Sequence, residues 1–154
     1  MEKHIKAGAL AGIAGGVVEV IFMAIYCALT GKDGMEMLGL VAYTFFDGGA
    51  LSGLSIHLGL SVLIGLAFGI VVYSAERFNV VVRYPVAIAS GVAMLIVIWA
   101  FNFFVLLPSI NPEFVAFVPL EAAFFSKLSF GLTLGLYRVH PSYAARSVGA
   151  LAWR

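Results

Sequence analysis

Ala7-Gly8-Ala9-Leu10-Ala11-Gly12-Ile13-Ala14-Gly15-Gly16-Val17-Val18-Glu19-Val20-Ile21-Phe22-Met23-Ala24-Ile25-Tyr26 is a run of twenty residues with a single charge. As an α-helix it would be ~30 Å long, the thickness of a bilayer's hydrocarbon core. Gly8, Gly12 and Gly16 stand one turn apart in a double GxxxG. Small residues at that spacing let two helix backbones approach closely, which is how helices associate where the solvent is as apolar as leucine. Glu19 follows Gly8 by eleven residues, about three turns, so it falls on the glycine face.

The rest of the chain has the same character. Of 154 residues, 62% are hydrophobic and only 11% charged, with a mean hydropathy of +1.06. Soluble domains are about 25% charged, and a water-soluble fold of this size could not hide so much apolar surface. Disorder is excluded, because it needs low hydrophobicity and high net charge. Residues 5–29, 51–73, 85–107 and 119–137 form four stretches of spanning length, and their apolar runs lack the alternation a membrane β-barrel requires. The expected fold is therefore an all-α integral membrane domain, 1–154, of four transmembrane helices arranged as two tandem hairpins. Pro85 and Pro119 suit first helical turns, and Pro108 and Pro112 are expected to interrupt the link between the third and fourth helices. The apolar segment after Lys3 and Lys6 is too long for a cleaved leader, contains Glu19 and has no small-x-small site after it, so it is expected to be a retained helix.

Lys3, Lys6, Arg77, Arg83, Arg138, Arg146 and Arg154 fall on one side of this topology, and only Lys32 falls on the other. The positive-inside bias puts both termini in the cytoplasm, with 138–154 as a cytoplasmic tail. The outer link Met35 to Phe46 is apolar but too short to span, and predicts a short interfacial helix between helices 1 and 2. Ser109 to Val118 is a shorter version of it.

The two halves resemble each other. Gly12 to Val17 aligns with Ala87 to Val92, and Gly65/Gly69 with Gly131/Gly135, which predicts a parallel repeat about an axis along the membrane normal. Gly8, Gly12, Gly16, Gly65, Gly69, Gly131 and Gly135 are the expected helix-packing positions, whether within the chain or against a partner.

Two polar groups are expected inside the bilayer. Glu19, ~20 Å from the inner end of its helix, and Lys127, ~16 Å from the inner end of its own, lie near one level. An unpaired charge there costs roughly 3 kcal/mol, so an ion pair is expected, serving either as a clamp or as an ion or proton relay. His57, Asn102 and Glu121 lie ~25–27 Å from the inner ends and form an expected outer polar cluster.

Catalytic signatures are absent: there is no GxSxG, HExxH or Walker loop, and Ser61 shares His57's helical face without a third orienting group. Cys27, Met35, Met37 and His57 are soft donors on one side, but without HxxxH, MxxM or CxxC spacing no metal is expected. No cofactor is expected, with bound lipid or quinone left open through His57. A net charge of +1 offers nothing for nucleic acid.

The segments Ala7-Gly8-Ala9-Leu10-Ala11-Gly12 and Ile56-His57-Leu58, with Gly65-Leu66-Ala67-Phe68-Gly69, resemble those of small uncharacterised four-helix proteins of bacterial inner membranes. That resemblance implies a location and no activity. The expected function is a non-catalytic accessory or assembly subunit of a larger membrane complex, such as a respiratory one, bound to other subunits or to itself through the glycine faces and the aromatic third helix (Trp99, Phe101, Phe103, Phe104). The alternative is a small oligomeric transporter or channel using Glu19 and Lys127.

Overall fold

The computed structural model describes residues 1–78, 80 and 82–137. Among them there is no strand. The α-helices are α1 (Glu2–Thr30), α2 (Gly34–Tyr43), α3 (Ala50–Arg77), α4 (Tyr84–Phe101), α5 (Leu107–Ile110), α6 (Pro112–Phe117) and α7 (Leu120–Tyr137), and a π-helical segment, Asn102–Leu106, joins α4 to α5. The expected tail, 138–154, lies outside the described residues.

Among the described residues three helices, rather than the four expected, are long and apolar enough to cross a membrane: α1, α3 and the rod Tyr84–Ile110. The difference lies in α7, whose 18 residues include Glu121, Ser126, Lys127, Ser129 and Thr133. Those polar groups lower its apolarity.

Pro108 does not end the third long helix, contrary to expectation. Its ring removes the N–H that would meet the carbonyl four residues back, and it crowds that turn. The chain absorbs this by widening the preceding turn, where the Leu107 N–H reaches back five residues to the Asn102 carbonyl. The rod then continues to Ile110.

α1 ends at Gly31, whose φ of 69° is left-handed and whose N–H caps the Cys27 carbonyl. Asp33 then starts α2 by accepting the Met35 N–H at 2.8 Å. The short helix expected over Met35 to Phe46 is thus Gly34–Tyr43, and it packs along α3. The approach is close, since a Cβ on Gly53 would overlap the Leu38 carbonyl.

α1 packs along α3, α4 along α7, and α1 also along α7, whereas α3 and α4 barely touch. The chain is therefore two antiparallel hairpins joined through α1 and α7 and parted between α3 and α4.

Glycines set the register. A Cβ on Gly8 would strike the Gly65 carbonyl, one on Gly12 the Ser61 carbonyl, and one on Gly69 the His4 carbonyl. In the second hairpin Gly91 meets Gly131 and Gly135 in the same way. Gly91 therefore occupies the place of Gly8, not that of Gly16 as the sequence alignment had it, a shift of about two turns. All seven expected packing glycines are turned inward within this one chain. Gly15, on another face of α1, makes room for the Phe130 ring of α7.

Buried side chains form two clusters. Ala11, Phe68, Val72, Leu95, Phe130 and Leu134 make one, and Met23, Cys27, Met37, Phe103, Val118 and Ala123 the other.

Gly65→Val would drive two methyl groups into backbone that cannot yield, with an expected cost of about 1–3 kcal/mol. Gly59 has open space around its Cβ position, so Gly59→Val should change stability by less than about 0.5 kcal/mol. Thermal unfolding of the two variants in one detergent checks the contrast.

Candidate functional site

Glu19 is the most deeply buried carboxylate of α1, with only 5% of its surface exposed. α1 carries it on the face that bears Gly12 and Gly16, so close packing removes it from solvent. Lys127 of α7 donates to its Oε1. The Ser126 hydroxyl lies 3.3 Å from the same oxygen and 2.8 Å from the Ala123 carbonyl, within reach of both. Glu19 Oε2 has no hydrogen-bond partner among the described residues.

His57 stands beside this pair. Its Nε2 is 3.2 Å from the Gly16 carbonyl and 4.0 Å from Glu19 Oε2. It does not form the expected outer cluster with Asn102 and Glu121. Depth counted from the inner ends had separated His57 from Glu19, but the actual register follows the glycines. Each four-residue step along α1 is answered by four residues back along α3: His4 with Gly69, Gly8 with Gly65, Gly12 with Ser61, Gly16 with His57. That ladder brings His57 to within a turn of Glu19. Glu121 is exposed. It lies six residues before Lys127, roughly 240° around the helix, and so faces elsewhere.

The Glu19–Lys127–His57 group forms part of the wall of a cavity of about 370 Å³ in the parting between α3 and α4. Asn102, at the start of the π-helical segment, also lines it. Most of the remaining wall is aliphatic, with Val20, Leu60, Ile64 and Ile98 among its residues. Leu60, Leu63 and Leu106 line the cavity and are also exposed, so it opens sideways on the helix surface that lipid would cover.

Asn111, which the sequence analysis does not single out, anchors the short helices α2 and α6 to each other. It is fully buried. Its Nδ2 donates to the Leu40 carbonyl at 2.7 Å and to Thr44 Oγ1 at 2.8 Å, while its Oδ1 accepts the Phe114 N–H at 3.0 Å. One side chain thus ties the end of α2 to the start of α6. Asn-Pro-Glu at 111–113 is a helix-start signature and was the available signal. Lys32 adds a second tie by donating to the Phe117 carbonyl at the end of α6, with its ammonium 4.8 Å from the Phe117 ring centroid.

Ser61 donates to the His57 backbone carbonyl at 2.7 Å, not to the imidazole, and no nucleophile is prepared there. Cys27 Sγ lies 4.0 Å from Met37 Sδ. Among the described residues no three His, Cys, Asp or Glu side chains gather where they could hold a metal. Chemically, the site can hold a polar group against a fixed carboxylate and ammonium at the edge of an apolar chamber.

Comparison of the chain with protein families, with curated proteins and with solved structures found no match.

Glu19→Leu alone leaves Lys127 buried and uncompensated, which should cost about 3–5 kcal/mol. The double change Glu19→Leu with Lys127→Leu removes both charges and should recover most of that loss. Denaturation of the purified variants measures it, and equal losses in the single and double variants would show that the clamp lies elsewhere.

Proposed function

We propose that this chain is a membrane protein whose working part is the α3/α4 cavity, and that it holds a small, mostly apolar molecule there without transforming it. The observation that carries this proposal is the chamber itself, mostly apolar in its lining, with Glu19, His57, Asn102 and Lys127 among its residues. A few convergent polar groups in a concave apolar chamber are the usual form of a small-molecule site. The volume falls within the ~300–1,000 Å³ such sites occupy. Three candidate spans support the membrane setting. We further propose that α7 crosses as the fourth helix, its Lys127 neutralised by Glu19, with both ends on the arginine-rich side of a bacterial inner membrane.

An accessory-subunit role has one observation in its favour. Phe101, Phe104 and Phe125 present an exposed aromatic edge on the second hairpin. The glycine faces are taken up within the chain and lend that role no surface. A transporter would use the same cavity and differs from a holder in moving its cargo across.

Protein extracted from its native membrane in mild detergent is expected to carry a small-molecule adduct in native mass spectrometry, and Ile98→Trp, which fills the chamber, should lose it. An adduct equally present on Ile98→Trp, or absent from the native protein, defeats the proposal. Stoichiometric co-elution of other polypeptides would favour the subunit role, and Glu19-dependent flux in liposomes the transporter.

Reporters fused at residue 1 and after residue 154 should both report the cytoplasmic side. Ends in opposite compartments would leave α7 outside the set of crossing helices.

A further inference from the structure

We infer that the chamber binds a monoanionic amphiphile together with one proton, the proton on His57 and the anionic head at Asn102. This rests on the chamber being a binding site and adds the charge of its guest and the residues that read it.

Most of the polar lining is already engaged. Glu19 accepts at Oε1 from Lys127 and Ser126, and its Oε2 is enclosed in protein, beyond the reach of any guest. Ser126 and Thr44 donate to the carbonyls of Ala123 and Leu40. Two lining side chains keep free polar atoms. The Asn102 carboxamide has no hydrogen-bond partner among the described residues, and neither its oxygen nor its nitrogen is enclosed. His57 uses Nε2 on the Gly16 carbonyl at 3.2 Å. A carbonyl only accepts, so Nε2 carries the hydrogen and Nδ1 the lone pair. Nδ1 also lacks a partner among the described residues and is not enclosed. A free imidazole lone pair in the chamber wall is a place for a proton.

Charge couples that proton to the guest. The charged groups facing His57 are Glu19 of α1, whose Oε2 is 4.0 Å from Nε2, and Lys127 of α7. The other helices at the chamber present only uncharged residues to it. On α3 itself Glu76 and Arg77 stand about five turns away. Glu19 and Lys127 neutralise each other. An imidazolium in the empty chamber would therefore be an uncompensated positive charge, and an anionic head beside neutral His57 an uncompensated negative one. Each removes the other's penalty, so proton and anion bind cooperatively. Asn102 donates an N–H to the anion without adding charge. A cationic head would find Glu19 already paired and no other anion. The tail has its place in the parting of α3 and α4, whose exposed aliphatic lips are Leu60, Leu63 and Leu106.

Decylsulfonate stays a monoanion throughout the neutral and mildly alkaline range, so any pH dependence of its binding belongs to the protein. Radiolabelled decylsulfonate, decanol and decyltrimethylammonium are each equilibrated with the full-length protein in detergent. Specific binding is read as the excess over Ile98→Trp, against partition into empty micelles. Between about pH 7.5 and about pH 8.5, where an ordinary imidazole is neutral, the sulfonate's affinity should fall about tenfold, the mark of one proton taken up with each anion. His57→Gln keeps a donor for the Gly16 carbonyl and cannot take the proton. It should bind the sulfonate about tenfold or more weakly at the lower pH, without a slope. Decanol should bind it as it binds the wild type, which reports an intact chamber. Asn102→Leu should weaken the sulfonate about tenfold and keep the slope. A flat pH dependence in the wild type, or a slope that survives His57→Gln, overturns the proton. Decanol or decyltrimethylammonium bound more tightly than the sulfonate at the lower pH overturns the anionic guest while leaving the chamber as a binding site. Binding of all three that is indifferent to Ile98→Trp removes the site itself.

Discussion

Backbone contact between α1 and α3 is the constraint from which the other features follow. Gly8 and Gly12 on one helix lie against Gly65 and Ser61 on the other so closely that an added Cβ on either glycine would strike a carbonyl. Apolar side chains slide past one another at modest cost, but backbones in contact do not. The glycine ladder therefore holds α1 and α3 in one register, and that register alone decides which polar side chains share a level. Had α1 slid by one turn, Glu19 would sit about 5 Å from its present height.

The ion pair is the second consequence. α1 is central because it offers small residues to two neighbours, Gly8, Gly12 and Gly16 to α3 and Gly15 to α7. The Phe130 ring fills the notch at Gly15 and is itself 1% exposed. One turn further along, the same seam carries Glu19 and Ser126 with Lys127. A charge pair so placed is weak as a source of stability, because desolvating both ions offsets much of their attraction. What it does well is fix the position of a carboxylate. Oε1 is tethered from α7, and Oε2 is thereby held 4.0 Å from His57 Nε2.

The sequence shows much of this and omits a definable part. Helices, glycine faces and the Glu19–Lys127 match all follow from periodicity and rise, which are properties of one helix at a time. Register is a property of two helices, and it depends on the volume of residues that the partner presents. For that reason His57 reads as belonging with Asn102 and Glu121 although it lies beside Glu19, and Gly91 reads as the counterpart of Gly16 although it packs like Gly8. The Gly15 notch was invisible because its meaning depends on Phe130, more than a hundred residues away. Pro108 reads as a break because a proline normally costs a helix one bond, and nothing local indicates that a π-turn will absorb it. α7 reads as a span on length, yet its polar content sets it apart from the other three long helices.

The cavity arises from an imperfection in the repeat. With Gly8 equivalent to Gly91 and Gly65 to Gly131, Gly15 corresponds to Ile98 and Phe130 to Ile64. A closed, two-fold bundle would bring α4 against α3 as tightly as α1 lies against α7. At the α1/α7 seam a glycine admits a ring and the helices meet. At the α3/α4 seam two branched side chains, Ile64 and Ile98, stand in the equivalent places, and both line the cavity. Neither yields a notch to the other, so the helices stay apart. The polar positions follow the same logic. Glu19 and Lys127 join the closed seam, while their counterparts under the repeat are Asn102 and Ser61, both uncharged. Ser61 is occupied with its own helix, and Asn102 faces the chamber. A protein that needed only to assemble would gain by closing both seams. On the proposed reading the open seam is the place for a guest, and Ile64 and Ile98 are the residues that keep it open.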